Sequence, residues 1–138
     1  MTTSATPSIV RSNPSELGTP PGYSQIVDVT ASRIIFISGQ TALDGGGNLV
    51  GKDDFAAQAA QVFRNLTIAL QERGCSAANL VKLTVFLTDM DFLSVYREAR
   101  NTFFASVIPA AAPAVTLIEV SKLYGPDFLI EIEAIAAM

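Results

Sequence analysis

Two segments of the chain carry apolar residues at consecutive positions, and this constrains the fold more than any other feature. Successive side chains of a β-strand point to opposite faces of a sheet. In the segment IIFIS, Ile35 and Ile37 therefore face one side. Ile34 and Phe36 face the other, and the segment VTLIEV at 115–120 repeats the pattern. A sheet built from such strands needs apolar cover on both faces.

The hydrophobic periodicity predicts two helices, at 53–73 and 92–106. Asp53 or Asp54 can cap the start of the first helix, and Gly74 can end it. Two helices cover only one face of a sheet, so the other apolar face needs a second copy of the chain. Only 16% of the residues are charged, which agrees with self-association because a small monomer normally covers its surface with charge.

Short runs rich in valine, isoleucine and aromatic residues predict six strands that alternate with the helices in an α+β order. Segments 25–30 and 33–38 are separated by two residues and are interpreted as a hairpin. Residues 1–14 are interpreted as a partly flexible arm of a single domain that spans residues 1–138. The other strands are predicted at 8–12, 81–88, 114–120 and 128–136.

The composition excludes several kinds of chemistry. The chain has no histidine, so it lacks the commonest general base and metal ligand. A hydrolase with a Ser-His-Asp triad is therefore excluded. Its one cysteine, Cys75, follows a helix C-terminus, where the helix dipole disfavours a thiolate, and is expected to be unreactive. The glycines at 45–47 predict a turn, because no GK[ST] follows them as in a phosphate-binding loop. No metal or cofactor is expected.

The charge pattern and the N-terminus limit the partners and the compartment. A net charge of −4 with scattered lysines and arginines argues against nucleic acid. The N-terminal segment lacks the basic and apolar regions of a signal peptide, and no apolar run approaches membrane-spanning length. We therefore expect a cytoplasmic protein without a membrane partner.

Glu131 and Glu133 are the clearest candidates for chemistry. They lie two residues apart in the final strand, so both side chains face one side, and Glu119 is expected in a neighbouring strand. Paired carboxylates can act as acid and base when burial and like charge separate their pKa values. The alternative is that one carboxylate pairs with Lys82 or Lys122 and the other is solvated. The residues alone leave both interpretations open.

Five segments, in this order, resemble motifs of the RidA/YjgF family, the reactive intermediate deaminases. The resemblance spans roughly residues 15–136. Each motif alone is weak, but the five in the right order are jointly specific. The segments are GYSQ at 22–25, FISGQ at 36–40, VKLTVFLTDM at 81–90, PAVT at 113–116 and IEIEAIA at 130–136.

The resemblance implies an architecture and a place for the site. It implies a chorismate-mutase-like fold, with a mixed six-stranded sheet and two helices on one face. Three copies would form a homotrimeric barrel with the helices outside. A small-molecule ligand would bind in clefts between the subunits, where an imine or enamine is hydrolysed without a cofactor.

The resemblance also implies a role for each matching residue. Glu131 matches the glutamate that helps to position the attacking water, and Tyr23 and Ser38 match residues that shape the cleft. Val115, followed by Thr116, stands where deaminating members carry an arginine that grips the substrate carboxylate. On this alignment Val115 borders the cleft close to Glu131.

Without that arginine, the chain is interpreted as a divergent member, and deamination of 2-iminobutanoate is in doubt. Its ligand is expected to be more apolar or more nearly neutral than a 2-imino acid, with Glu131 still orienting water toward a C=N bond. Two alternatives stay open: Arg97 or Arg100 replaces the missing arginine, or the trimer binds a ligand without catalysis. A ribonuclease role, sometimes attached to the family, is disfavoured by the acidic composition and the missing histidine.

Overall fold

A computed structural model describes residues 7–107 and 111–138. Within these ranges the elements follow the predicted order, three strands, a helix, a strand, a helix and two strands. Only part of the predicted arm at 1–14 can be compared with the structure. Residues 1–6 lie outside the described ranges, and residues 8–12 form a strand. The elements are β1 (Ser8–Ser12), β2 (Ile26–Thr30), β3 (Ile34–Gln40), α1 (Phe55–Glu72), β4 (Leu80–Leu87), α2 (Leu93–Phe104), β5 (Ala114–Glu119) and β6 (Ile130–Ala137).

The ends of the helices are set by local hydrogen bonds. The Asp54 carboxylate accepts the N–H of Ala57 at 3.0 Å and so caps α1, as predicted. A short 3₁₀ turn at Met90–Phe92 precedes α2. The carboxylate of Glu119 accepts the N–H of Met90 at 2.7 Å, which ties the end of β5 to this turn. Among the described residues, no helix combines the length and the apolar character that crossing a membrane requires.

The six described strands form two sheets, so the expected single six-stranded sheet is wrong. One sheet has two strands, β1 and β2, and the other has four in the order β3-β6-β4-β5. The four-stranded sheet is mixed, because β4 and β5 run parallel while its other pairs are antiparallel. An isolated parallel bridge joins Ser24, which precedes β2, to Ala114 at the start of β5.

The predicted hairpin between β2 and β3 is also wrong. β2 pairs with β1 over its full length, from Ser8↔Thr30 to Ser12↔Ile26, whereas β3 pairs with β6. A two-residue hairpin needs positive φ angles at its turn, which Asn-Gly pairs supply. The linking residues 31–32 are Ala-Ser, and neither adopts a positive φ.

Both helices lie on one face of the four-stranded sheet, as the sequence predicts. Alternate residues of β4, Leu83, Val85 and Leu87, are buried in the core on that face. On the opposite face the apolar side chains stay uncovered in the single chain. Phe36 is 77% exposed and Ile34 is 50% exposed. We refer to these as the helix face and the open face.

Candidate functional site

Glu131 lies on the open face of β6, beside Phe86 of β4. Its carboxylate rests directly on the backbone of Gly39 in β3. A Cβ atom at position 39 would lie 2.9 Å from the Glu131 Cδ and closer still to Oε1. A Cβ at position 39 would displace the carboxylate, so the glycine is what lets the Glu131 side chain lie against β3.

A bulge in β3 produces this close approach. Ile37 pairs with Ala134, but Gln40 pairs with Ile132. β3 therefore carries one residue more than β6 across the interval that contains Ser38 and Gly39, which is a β-bulge. Sequence reasoning assigned no role to Gly39, although a glycine inside a strand is a signal for a bulge or a close backbone approach.

The environment of Glu131 favours its protonated form. Burial raises the pKa of Glu131 above its ordinary value of 4.5, and the charge of Glu133 raises it further. The predicted ion pairs with lysine are not formed in the described part of the chain. The ammonium of Lys82 instead donates to the hydroxyl of Thr116 at 2.7 Å. Glu131 is therefore a carboxyl group whose proton affinity suits acid–base work.

The open face holds two further residues singled out from the sequence. Ser38 is exposed and directly precedes Gly39 in the bulge, so it lies on the same part of β3 as the Glu131 carboxylate. Thr116 lies on β5, which is separated from β6 by β4. Two strand spacings amount to roughly 10 Å, so Thr116 does not join Glu131. Glu119 is not in a neighbouring strand either, because it also lies on β5.

Val115 and Glu131 of one chain lie on opposite faces of the sheet, so the expected closeness of the two residues at a cleft would have to arise between copies of the chain. Val115 pairs in register with Leu83, a core residue of the helix face. Glu131 pairs with Phe86. Because residues 83 and 86 of one strand differ by an odd number, their side chains point to opposite sides of the sheet. The alternation of strand residues thus separates the two candidates.

Val115 instead borders a cavity of about 270 Å³ between β5 and α2. Tyr23 lines the same cavity and is positioned by its neighbour Ser24. The N–H of Ser24 donates to the carbonyl of Pro113 at 2.9 Å, and its hydroxyl donates to the carbonyl of Ala112 at 2.6 Å. The wall of the cavity combines aromatic, cationic and aliphatic side chains, among them Tyr23, Tyr96, Arg97, Arg100, Val115 and Leu117.

The two arginines considered as replacements for the missing one both line this cavity. Arg97 is exposed, whereas Arg100 is only 8% exposed. The guanidinium of Arg100 lies 5.9 Å from the ring centre of Tyr96 and donates to Asn101 Oδ1 at 3.2 Å. A Cβ at Gly22 would lie 2.5 Å from Arg100 Nη2, so this glycine makes room for the guanidinium.

Tyr96 is the other buried polar group of the cavity wall. Its hydroxyl is buried and has no hydrogen-bond partner among residues 7–107 and 111–138. Burial raises the pKa of Tyr96 to about 12, against the opposing effect of Arg100 and Arg97. The hydroxyl therefore keeps its proton at neutral pH, and it donates no hydrogen bond to another described group.

Other cavities and candidates contribute less. A groove of about 440 Å³ between the two helices is lined by none of the predicted site residues. Gly39 also lines a cavity of about 510 Å³ together with Thr41, Asn65 and Tyr124. Cys75 follows the end of α1, as predicted, and its side chain is buried in the core. The 45–47 segment is a turn, also as predicted, in which Asp44 Oδ1 accepts two backbone N–H groups at 2.9 Å.

Comparison with known proteins finds similarity over most of the chain. A family model described as Endoribonuclease L-PSP matches residues 14–138. A RutC family protein of Synechocystis sp. is 37% identical over 117 residues, which cover 84% of this chain and 85% of the relative. The 2-iminobutanoate/2-iminopropanoate deaminase of Rattus norvegicus is 36% identical over 114 residues, 83% of this chain and 78% of the relative. A solved structure from the conserved Rid protein family of Yersinia pestis matches with a TM-score of 0.76 and 28% identity, covering 96% of this chain and 98% of that one.

Proposed function

The chain belongs to the RidA/YjgF family, and from that premise we propose that it hydrolyses an imine or enamine in clefts between the subunits of a homotrimer. The observation that carries the proposal is the seating of Glu131 on Gly39, on an apolar sheet face that the single chain leaves open. A carboxyl group at an interface between copies is shielded from bulk water. That position suits a general base whose pKa is already raised by burial.

The proposed reaction is the addition of water to a C=N bond. The Glu131 carboxylate accepts a proton from water as the water oxygen attacks the imine carbon, and it returns this proton to the imine nitrogen. In the resulting carbinolamine the hydroxyl proton passes, again through Glu131, to the nitrogen as the C–N bond breaks, and ammonia and a carbonyl compound are released. A carboxyl group with a raised pKa can both accept and return the proton, so no metal or redox partner enters the balance.

The division of the candidate residues between two faces supports a site built from more than one copy. Glu131 and Ser38 lie on the open face, while Tyr23 and Val115 border the cavity on the helix face. A second copy packed on the open face would bring the two sets together and would cover the exposed Phe36. Sedimentation equilibrium tests this arrangement. We expect three times the chain mass, and a stable monomer at micromolar concentration would contradict the proposal.

The substrate that we propose is not one of the usual 2-imino acids, because Val115 presents no charge to a carboxylate at its position on β5. In this respect the chain is a divergent member of the family. The proposal does not extend to RNA cleavage, since the net charge is −4 and the chain has no histidine.

Ammonia release from imines generated in situ tests the catalytic proposal. An amine oxidase supplies neutral imines that lack a carboxylate, and an amino-acid oxidase acting on 2-aminobutanoate supplies 2-iminobutanoate, which we expect to be the poorer substrate. For the best substrate, we expect Glu131→Gln to lower the rate by about 10²–10⁴-fold. Glu133→Gln, a matched change two residues away on the same strand, is expected to stay within a few-fold of wild type. Equal rates for wild type and Glu131→Gln would exclude Glu131 as the base.

A further inference from the structure

The bulge in β3 leaves the backbone beside Glu131 without partners in the sheet. The register of β3 with β6 gives partners to the residues on either side of the bulge, but none to Ser38 or Gly39. Backbone that is not paired in a ladder opens and shifts more easily than the rest of a sheet. Yet the Glu131 carboxylate rests on Gly39, where a Cβ would lie 2.9 Å from its Cδ. The position of the carboxylate therefore depends on a part of β3 that pairing with β6 does not hold.

The side chain of Gln40 supplies a hydrogen bond at this point. Its Nε2 donates to the carbonyl oxygen of Ser38 at 3.1 Å. That oxygen belongs to the peptide unit that joins Ser38 to Gly39. Because a peptide unit is planar, a restraint on its carbonyl also restrains its N–H and the Cα atoms at both ends. The amide of Gln40 thus restrains the backbone on which Glu131 rests.

Gln40 reaches the bulge from the side of the sheet opposite to Glu131. It lies directly across from Ile132, which is fully buried in the core on the helix face, and cross-strand partners share a face. Its side chain lines the cavity of about 510 Å³ together with Asn65 of α1. Glu131 lies on the open face. An effect of Gln40 on the proposed reaction would therefore come through the backbone of the bulge.

We propose that Gln40 is a positioning residue of the site, which holds the bulge through Ser38 and so sets where the Glu131 carboxylate meets the substrate. The inference rests on the proposed function and adds to it a residue that does not contact the substrate. Without the amide, the peptide unit can turn and carry Gly39 away from the carboxylate. A misplacement of about 1 Å can cost about 10²-fold in rate. The chemical step should therefore suffer, while substrate binding should not.

Ammonia release by the full-length protein, from the neutral imine that the wild type hydrolyses fastest, tests the proposal. Gln40→Met keeps the length of the side chain but removes the donor. It should lower kcat by about 10-fold and leave KM within about two-fold. Gln61→Met is the matched control, because Gln61 Nε2 donates to the carbonyl of Leu43 at 3.2 Å, beyond the bulge. The control should lower the melting temperature by a similar small amount and leave kcat unchanged.

The same change in a Glu131→Gln background shows whether Gln40 acts through Glu131. Residues that act as a unit are not additive in their effects. Once the carboxylate is gone, Gln40→Met should lower the remaining rate by less than about two-fold. A loss of about 10-fold in both backgrounds would overturn the inference, because the amide would then act on something other than the carboxylate.

A carbon-13 NMR titration of the Glu131 carboxyl group gives a readout that does not need catalysis. Burial, followed by the charge of Glu133, raises the pKa of Glu131 above 4.5. Lys82 does not oppose this by pairing with the carboxylate, since it donates to Thr116. If Gln40→Met releases the carboxylate from the bulge, water reaches it more freely and its pKa should fall toward 4.5.

Several results would overturn the inference. They are an unchanged pKa of Glu131 in Gln40→Met, an unchanged kcat, or equal losses of kcat in Gln40→Met and Gln61→Met. Failure of Gln40→Met to fold would also overturn it, because the amide would then support the chain as a whole. The proposed hydrolysis is judged separately. If the wild type and Glu131→Gln release ammonia equally fast, the catalytic proposal fails, whereas the titration still decides whether Gln40 positions the carboxyl group.

Discussion

The helix face and the open face of the four-stranded sheet are built from the same strands but meet different demands. The helix face is completed within one chain: Leu83, Val85 and Leu87 are buried beneath the helices. The open face combines the exposed Phe36 with the Glu131 carboxyl group. The helix face forms the core of the single chain. The open face exposes apolar side chains and carries Glu131, whose pKa is raised. Residues on the open face are therefore expected to affect assembly and chemistry more than the folding of the single chain.

The largest expected effect comes from truncating matched apolar residues on the two faces. Leu83→Ala removes fully buried methyl groups and should lower the free energy of unfolding by about 2–5 kcal/mol. Phe36→Ala removes a ring that is 77% exposed in one chain. Its effect should come through assembly and should therefore depend on protein concentration.

Denaturant unfolding at several protein concentrations checks this contrast. The loss caused by Leu83→Ala should be the same throughout the series, while that caused by Phe36→Ala should change with dilution. A concentration-independent loss of similar size for Phe36→Ala would mean that the two faces do not differ in the way described.

The sequence predicted the faces better than it predicted the partners of the strands. Alternation within IIFIS correctly placed Ile37 and Phe36 on opposite faces, because side-chain direction depends only on the local strand geometry. The pairing of β3 with β6 joins residues about a hundred positions apart, such as Ile34 and Ala137. No local pattern contains that information, and this is why the hairpin with β2 was predicted instead.

The site was predicted in part, for a similar reason. The motif around Glu131 made this carboxyl group a candidate, and spacing placed it on the same face as Glu133. That Glu131 and Val115 lie on opposite faces of the sheet follows only from the registers of β4 with β5 and with β6. The burial of Arg100 had a signal that was not used: it follows Tyr96 by four residues, so both lie on one side of α2. A charged residue beside a buried aromatic on one helix face is a candidate for a site.

A methyl group at position 39 should have an intermediate effect on stability and on activity, because it disturbs Glu131 on the open face. In Gly39→Ala the new Cβ collides with the end of the Glu131 side chain, which can swing away, so the loss of stability should stay near 1–3 kcal/mol. The displaced carboxylate should lower imine hydrolysis by about 10²-fold.

Gly45→Ala is the matched control for this change. A Cβ at position 45 meets nothing within 4 Å, and neither stability nor rate should change appreciably. Melting temperatures and ammonia release measured on both variants check the pair. Full activity in Gly39→Ala would show that the position of Glu131 on the bulge is not needed.

The smallest expected effect is the dependence of stability on pH that Glu131 introduces. Burial and the neighbouring Glu133 raise the pKa of Glu131 above its ordinary value of 4.5, so the folded chain keeps this proton at a pH where the unfolded chain has lost it. Stability from this group is therefore full below the ordinary pKa and is lost as the pH rises through the raised pKa. Glu131→Gln should match wild type at about pH 3.5 and melt slightly higher near pH 7. Glu72→Gln, which removes an exposed carboxylate from α1, should show no such pH-dependent gain. If Glu131→Gln instead melts lower than wild type near pH 7, the carboxylate has a cationic partner in the assembled protein, and the contrast drawn between the two faces would have to include a charge pair across the interface.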